Sequence, residues 1–463
     1  MPRPVFLAQD IRRIEQANAS LPLMERAGAA AAGLAATLLS DKGKDVLILA
    51  GPGNNGGDAK VVARLLQERF FRVSIAATPE EIPHQTRWSL VVDGLFGIGL
   101  ARPLEGPYAK LVEYINAQSC PVLALDIPSG LDSDTGRVLG RAVRATHTLT
   151  FIGLKPGLLT LDGPDHCGEL AVADLNVPLD PGIDRGWIAE PATFASVLKP
   201  RPRNFHKGMA GSLAILGGAE GMAGAALLAG RAALKLGAGR VYAGMLKDLA
   251  VDTRAPELML RHPEDVLGLD LDAIVVGPGL GQSERAETLL GAALASELPC
   301  VLDADALNLI SQNEDLRKAC ARRSSDTLLT PHPAEAGRLL AETTAHVQSD
   351  RLKAARALAA NLKAHVVLKG NGSVLVARDG HWFINTSGNP GMGSAGMGDV
   401  LSGILGALLA QKYSGETALV LGTHLHGCAA DECVNGGLGP AGLAAGELID
   451  PARRVWNSWL QRG

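Results

Sequence analysis

Short apolar runs alternate along this chain with stretches in which apolar side chains recur every third or fourth position. Runs of the first kind suit strands buried on both faces, and stretches of the second suit helices laid against a sheet. Their alternation predicts βαβ units around mostly parallel sheets. Helical spacing dominates residues 8–40. Strands are expected at Val46–Ala50, Val73–Ala77, Leu90–Asp93, Val122–Asp126 and Thr148–Phe151, with a helix over Ala59–Glu68. The charged, proline-rich stretch Lys199-Pro-Arg-Pro-Arg-Asn204 suits neither helix nor central strand, so the domain boundary is placed there, dividing residues 1–200 from 201–463. The alternation then restarts at Leu213–Leu216, Val241–Gly244, Ala273–Gly277, Val301–Asp303 and Thr327–Leu329. Val366–Lys369, Ser373–Ala377 and Trp382–Asn385 follow closely enough for an antiparallel meander, and helices are expected over Gly398–Gln411 and Glu416–Val434. The fold class is α/β in both halves, with ligand loops expected at the carboxyl ends of the strands.

Composition narrows the function classes. At 463 residues the chain is long enough for two or three domains, and 47% hydrophobic with 20% charged residues is ordinary for a globular protein. A formal charge of -4 gives no basic footprint for nucleic acid or a membrane surface. The six cysteines form no C-x-x-C pair and suggest reduced thiols in a cytoplasmic protein. The first ten residues lack the apolar core of a signal peptide. The alanine-rich run from Ala27 to Leu39 is interrupted by Gly28 and Gly33 and is shorter than the roughly 20 residues that span a bilayer.

The most informative segment is Asn389-Pro-Gly-Met-Gly-Ser-Ala-Gly-Met-Gly-Asp399, which runs directly into an apolar helix. Unpaired N–H groups at a helix entrance attract anions, and glycines let the backbone approach a phosphate. A carboxylate beside such a cradle is unfavourable for binding alone. It makes sense if Asp399 accepts a proton from a hydroxyl as that hydroxyl attacks phosphorus. With an ordinary pKa of about 3.9, Asp399 is expected to be ionised at neutral pH. The loop therefore reads as a phosphoryl-transfer site.

In the first half, Gly51-Pro-Gly-Asn-Asn-Gly-Gly-Asp58 formally contains a G-x-G-x-x-G pattern between a strand and a helix, a weak signal alone. The acidic residue expected to close the second strand is misplaced, since that strand leads into Thr78-Pro79. Asn54, Asn55, Gly56, Gly57 and Asp58 instead offer amide and backbone groups suited to a phosphate or a hard cation. Two further strand ends carry an aspartate and a glycine loop: Asp93-Gly-Leu-Phe-Gly-Ile-Gly and Asp126-Ile-Pro-Ser-Gly. Three polar loops at three strand ends favour a pocket.

These motifs, with the Lys155-Pro-Gly157 turn, resemble the YjeF N-terminal family, the NAD(P)H-hydrate epimerases, over most of residues 8–200. The resemblance implies a Rossmann-like domain in which Asn54 to Asp58 and the loop Gly97, Ile98, Gly99, Leu100, Ala101, Arg102 and Pro103 hold the hydrated dinucleotide, with Tyr108 assisting. It implies that Asn55, Asp93 and Ser129 bind potassium and that Asp126 performs acid–base chemistry at C6 of the nicotinamide ring. Ring opening and an iminium route both remain open. The family pattern often continues with glycine after N-N-G-G-D, where this chain has Ala59.

The second half is similar to the NAD(P)H-hydrate dehydratases of the ribokinase-like superfamily. The matching pieces include Gly211-Ser-Leu-Ala-Ile-Leu-Gly-Gly218, Gly277-Pro-Gly-Leu-Gly281, Leu302-Asp-Ala-Asp-Ala-Leu-Asn308, Thr330-Pro-His-Pro-Ala-Glu335 and Leu368-Lys-Gly-Asn-Gly-Ser373. The resemblance implies that Ala225, Gly279, His332 and Asp399 contact the S hydrate. Lys369, Gly370, Asn371, Gly372, Ser373 and Gly398 would contact the nucleotide, with magnesium on the phosphates. Resemblance to the fused bacterial-type enzymes implies ADP as donor, whereas the residues themselves do not separate ADP from ATP. Asp303 and Asp305 read equally as phosphate-orienting groups or turn carboxylates.

Hydrated NADH and NADPH and the nucleotide are thus the expected partners, with oligomeric state open. A plain small-molecule kinase in the second half, or a non-catalytic binding module in the first, remains as a rival. His424, His426, Cys428 and Cys433 contain zinc-ligand types, but His424 and Cys428 share a helix face that His426 does not, so packing is the preferred reading.

Overall fold

The structure is a computed structural model that describes residues 2–39, 43–180 and 182–462. The chain divides into two compact units between Gly186 and Trp187. The proline-rich stretch proposed as the boundary lies inside the second unit. Residues just after Gly186 already pair with that unit's sheet, at Phe383↔Trp187 and Ile384↔Ile188.

In the first unit, strands β1 (Asp45–Ala50), β2 (Arg72–Ala76), β3 (Leu90–Gly94), β4 (Val122–Leu125), β5 (His147–Phe151) and β6 (Glu169–Ala173) form one sheet in the order β2-β1-β3-β4-β5-β6. Every pair is parallel. The order reverses at β1, so a crevice opens beyond the carboxyl ends of β1 and β3. Helices Ala8–Ala17, Leu23–Leu39 and Asn54–Glu68 pack their apolar sides with Val46, Ile48 and Val92 on one face. Leu47, Leu49 and Val91 point to the other, where Leu111 and Ile115 cover them. β6 was not anticipated, because its edge position leaves an exposed, irregular pattern.

The second unit begins with β7 (Gly186–Ile188), β8 (Ser212–Gly217), β9 (Arg240–Met245), β10 (Met259–Arg261) and β11 (Ala273–Val276). It continues with β12 (Cys300–Leu302), β13 (Thr327–Leu329), β14 (His365–Leu368), β15 (Ser373–Val376) and β16 (Trp382–Asn385). Their order is β7-β16-β15-β14-β13-β12-β11-β8-β9-β10. β8 to β14 are parallel, and β14-β15-β16 form the expected antiparallel meander. The switch point lies between β8 and β11. The helix Met397–Ala410 is buried almost all round, which its continuous apolar sequence requires, and belongs to the main core. It closes on the helix Ala223–Lys235 where a Cβ on Gly403 would stand 2.1 Å from the Ala229 carbonyl oxygen. Among the described residues no helix is long and apolar enough to cross a membrane.

Two glycines show how tightly the first crevice is built. A Cβ on Gly51 would fall 1.8 Å from the Leu95 oxygen, and one on Gly56 would fall 1.8 Å from the Gly51 oxygen. Gly53, at the helix N-cap, faces open space. Gly51→Ala is expected to destabilise the first unit by about 3 kcal/mol through forced backbone displacement. Gly53→Ala should cost about 1 kcal/mol or less, the loss of a favoured cap. Denaturant unfolding of the two variants checks the difference.

Candidate active sites

In the first unit the helix begins at Asn54 rather than at the expected Ala59. Gly53 caps it without a side chain, so the whole Asn54–Asp58 motif occupies the opening turns, where free N–H groups face the crevice. β4 stops at Leu125 because Asp126 turns into the left-handed region at φ 64, uncommon for a residue other than glycine. That turn carries the Asp126 carboxylate into the crevice. Its Oδ1 accepts from Lys155 Nζ at 2.5 Å, from Thr150 Oγ1 at 3.1 Å and from Phe151 N at 3.4 Å. A Cβ on Gly97 would lie 3.2 Å from Asp126 Oδ2 and 3.5 Å from Asn55 Cγ, so the glycine loop, Asn55 and Asp126 converge.

Asp93 is fully buried at the end of β3. Ser129 Oγ and Ser129 N donate to it at 2.6 and 2.8 Å, and Leu95 N donates at 3.2 Å. Burial nevertheless pushes its pKa up to about 6. Asn55 is buried with neither its amide nitrogen nor its amide oxygen bonded to protein. Asp58 is driven up to about 8, by burial first and then by Asp126 and Glu15. Tyr108 packs edge-on against Phe96 with ring centroids 4.8 Å apart. Arg12 Nη2 donates to the Ile98 carbonyl at 3.3 Å, tying the first helix to the glycine loop.

Two participants escaped sequence reading. Glu15, raised by burial, Asp126 and then opposed by Lys155, lies on an amphipathic helix where a glutamate reads as solvated. Lys155 is fully buried although it follows a strand in what reads as a turn.

In the second unit, Gly218 N donates to the Pro278 carbonyl at 3.1 Å and Ala219 N to the Gly279 carbonyl at 2.7 Å, joining the loops after β8 and β11 at the switch point. Gly279, at φ 59, brings its backbone against Ala225, whose Cβ would lie 3.2 Å from an added Cβ. The expected pair Ala225 and Gly279 is therefore adjacent. Lys369 leaves the β14–β15 hairpin and donates to Asp303 Oδ1 at 2.9 Å, while Ser402 Oγ donates to Asp303 Oδ2 at 2.7 Å. Burial alone would raise Asp303, but Lys369 and these hydrogen bonds outweigh it and hold the carboxyl below its usual range. The hairpin is braced from beneath by Arg351, which donates to the carbonyls of Leu368, Asn371 and Gly372. A Cβ on Gly398 would stand 3.2 Å from Lys369 Nζ and 3.4 Å from Asp303 Oδ2, which places the helix entrance against this pair.

Asp399 sits in the first turn of the Met397–Ala410 helix, after Gly396 at φ 88. Its acidity is not ordinary. Burial, then Asp303, raise the carboxyl to about 7, with Asp305 adding to the shift and Lys369 opposing it. The expectation of full ionisation at neutral pH is corrected accordingly. The sequence shows neither the burial nor the fact that strand β12 delivers two more carboxylates. Asp305 itself accepts from Gly281 N at 2.8 Å.

His332 caps the helix Pro333–Leu340. Its Nδ1 accepts from Ala334 N at 3.1 Å and from Glu335 N at 3.4 Å, and its Nε2 lies 3.4 Å from Glu335 Oε1. Its pKa is lowered by burial, against which Glu335 pulls upward. His424 contacts Cys428 at 3.4 Å and stacks on Trp459, with centroids 5.7 Å apart. A separate cavity of about 1160 Å³, lined by Leu228, Arg231, Arg453 and Trp456, includes none of these site residues.

The two units therefore define an enzyme class: a Rossmann-like α/β domain with carboxyl groups converging on a crevice, followed by a ribokinase-like α/β domain whose glycine-rich helix entrance adjoins a Lys369–Asp303 pair. Comparison with known proteins agrees. Residues 213–449 match the NAD(P)H-hydrate dehydratase family model, and residues 20–90 and 79–157 match that of the YjeF-related protein N-terminus. The chain is 38% identical to the bifunctional NAD(P)H-hydrate repair enzyme of Escherichia coli K12, over 99% of this chain and 95% of that protein. It is 36% identical to the enzyme of the same name from Coxiella burnetii, over 96% of each. A solved structure of the ADP/ATP-dependent NAD(P)H-hydrate dehydratase from Bacillus subtilis, co-crystallised with ATP and Mg2+, covers 59% of this chain and 98% of its own at 29% identity and a TM-score of 0.53. The chain belongs to the bifunctional NAD(P)H-hydrate repair enzymes.

The geometry predicts that Asp399 titrates near pH 7 in the ligand-free protein. Asp305→Asn removes a like charge and should move that midpoint to lower pH. Carboxyl-carbon NMR of labelled aspartate in the two proteins measures it.

Proposed function

We propose that the chain repairs hydrated NADH and NADPH, with its first unit exchanging the R and S epimers at C6. Its second unit dehydrates the S epimer at the expense of ADP, giving AMP and phosphate. The observation that carries this reading is Asp399, held near neutrality at a glycine-rich helix entrance beside the Lys369–Asp303 pair. A base whose pKa is close to the working pH combines a useful ionised fraction with useful basicity.

In the second unit, Asp399 takes the proton of the C6 hydroxyl as that oxygen attacks the terminal phosphorus of the nucleotide, and the bond to the departing AMP breaks. Backbone N–H groups at the helix entrance, near Gly398, stabilise charge on the migrating phosphoryl group. The nucleotide lies over Lys369 to Ser373, while Ala225, Gly279 and His332 hold the hydrate. Nδ1 of His332 serves the helix cap, so its ring meets the hydrate along the Nε2 edge, which Glu335 Oε1 approaches at 3.4 Å. The phosphate ester then leaves by elimination, assisted by the ring nitrogen lone pair, and the dihydropyridine is restored. Asp303 already has the Lys369 ammonium as its counter-charge, so magnesium would fit this site chiefly as a partner of nucleotide phosphates, whose charge it would neutralise.

In the first unit, Asn54 to Asp58 and Gly97 to Pro103 cradle the dinucleotide, Tyr108 closes the rim and Asp126 moves the proton at C6. Asp58, which keeps its proton at neutral pH, donates a hydrogen bond instead of repelling phosphate. Potassium fits Asn55, Asp93 and Ser129. Among the described residues the buried Asn55 amide has no hydrogen-bond partner, and the buried Asp93 accepts only from the neutral donors of Ser129 and Leu95, with no cation paired to it. There the ion would supply counter-charge to Asp93. The division of labour between the units falls near residues 186–200, and six free thiols support a reducing, cytoplasmic setting.

Purified protein given mixed hydrate epimers and ADP should convert the whole mixture, read as recovered absorbance at about 340 nm, the reduced nicotinamide band exploited with such cofactors. Conversion of the S share alone would leave the first unit without its assigned activity, and a persistent phosphoester would make the second a plain kinase. Asp126→Ala should abolish epimer exchange, followed by proton NMR, in a folded protein.

A further inference from the structure

Lys155 carries no role in the chemistry described so far, yet its side chain is fully buried. Lysine is almost never buried to that extent unless its charge is paired. Its three ammonium hydrogens have three acceptors: Asp126 Oδ1 at 2.5 Å, Thr150 Oγ1 at 2.8 Å and the Phe151 carbonyl at 2.8 Å. No hydrogen is left for a ligand, so Lys155 is not itself a proton donor to substrate. Thr150 closes a ring of contacts by donating its own hydroxyl hydrogen to Asp126 Oδ1 at 3.1 Å.

The consequence falls on the two oxygens of Asp126. Oδ1 is saturated by Lys155, Thr150 and Phe151 N, whereas Oδ2 has no hydrogen-bond partner among the described residues. Oδ2 is also the oxygen on the side of the Gly97 loop and the unpartnered Asn55 amide. An ion pair serving the fold alone would not require its aspartate to adopt φ 64 and leave one oxygen unbonded at a crevice.

We propose that Lys155 is the positioning residue of the epimerase site, fixing Asp126 so that Oδ2 alone exchanges the proton with the hydrate. The proposal rests on the acid–base reading of Asp126. Glu15, from the Ala8–Ala17 helix, and Asp58, from the Asn54–Glu68 helix, add acidic groups around the same carboxylate, and Arg12 adds a cation near Glu15. Among those groups Lys155 is the cation bonded directly to Asp126, and that bond fixes which carboxylate oxygen faces the crevice.

The test measures epimer exchange by proton NMR in the full-length protein as a function of hydrate concentration, with thermal unfolding recorded for each variant. Lys155→Met is expected to lower kcat on the order of 100-fold with KM within about threefold. Thr150→Val keeps the ion pair and the side-chain shape and removes the bridging hydroxyl, so it tests the arrangement even where Lys155→Met fails to fold. A loss of about tenfold in kcat is expected, the size of one hydrogen bond. Wild-type kcat in Thr150→Val, or wild-type kcat in Lys155→Met, or a loss in Lys155→Met that falls on KM instead of kcat, overturns the proposal. Asp126→Ala separates the two claims. If it exchanges epimers normally, the reading of Asp126 itself falls. If it is inactive while Lys155→Met is normal, only the role of Lys155 falls.

Discussion

In each unit, a lysine ammonium neutralises an aspartate that its sheet buries at a strand end. Lys369 does so for Asp303 at 2.9 Å, and Lys155 for Asp126 at 2.5 Å. An unpaired carboxylate at such a depth would be strongly unfavourable, and stripping the partner from a buried pair costs roughly 3–5 kcal/mol. In the second unit, pairing Asp303 with Lys369 leaves the nearby Asp399 without a dedicated cation. Asp399 therefore feels the residual negative charge of Asp303 and Asp305 and keeps a high affinity for a proton. In the first unit the paired aspartate is itself the one read as reactive, and its charge, after burial, raises Asp58 and Glu15 beside it.

Around these charges the backbone is brought unusually close. A Cβ at Gly277 would meet the Asp303 carbonyl oxygen at 1.8 Å, as one at Gly51 would meet that of Leu95. Such contacts let strand-end loops lie against one another and leave helix N-termini open to a phosphate. The glycine-rich approach to Asp399 is itself anchored. Gly388 N and Asn389 Nδ2 donate to Asp431 at 2.9 and 3.0 Å, and Ser394 Oγ to the Leu443 carbonyl at 2.8 Å. A cradle held by the helix Gly415–Asn435 needs little reorganisation when charge develops, which is the source of its electrostatic benefit.

Much of this was legible in the sequence, for identifiable reasons. Central strands such as Val46–Ala50 and Ala273–Val276 are buried on both faces and read as unbroken apolar runs, and the aspartates closing neighbouring strands, Asp93, Asp126 and Asp303, mark the crevices. Edge strands such as Met259–Arg261 escaped because exposure removes that signal. The start of the Asn54 helix was misread because a glycine cap leaves no side-chain signature. The acidity of Asp399 depends on residues about 100 positions away brought close only by the fold, as the hydrogen bond between Ser402 and Asp303, 99 positions apart in the chain, makes plain. Lys155 and Glu15 were passed over since a lysine in a turn and a glutamate on an amphipathic helix ordinarily face water.

The central claim is that Asp399 removes the hydroxyl proton during phosphoryl transfer. Its most direct test is ADP-driven conversion of the pure S hydrate by Asp399→Asn, which preserves shape and removes the base. The account predicts a kcat lower by on the order of 10²–10⁴-fold in a protein that still binds the hydrate and nucleotide. Turnover at the parental rate would contradict it.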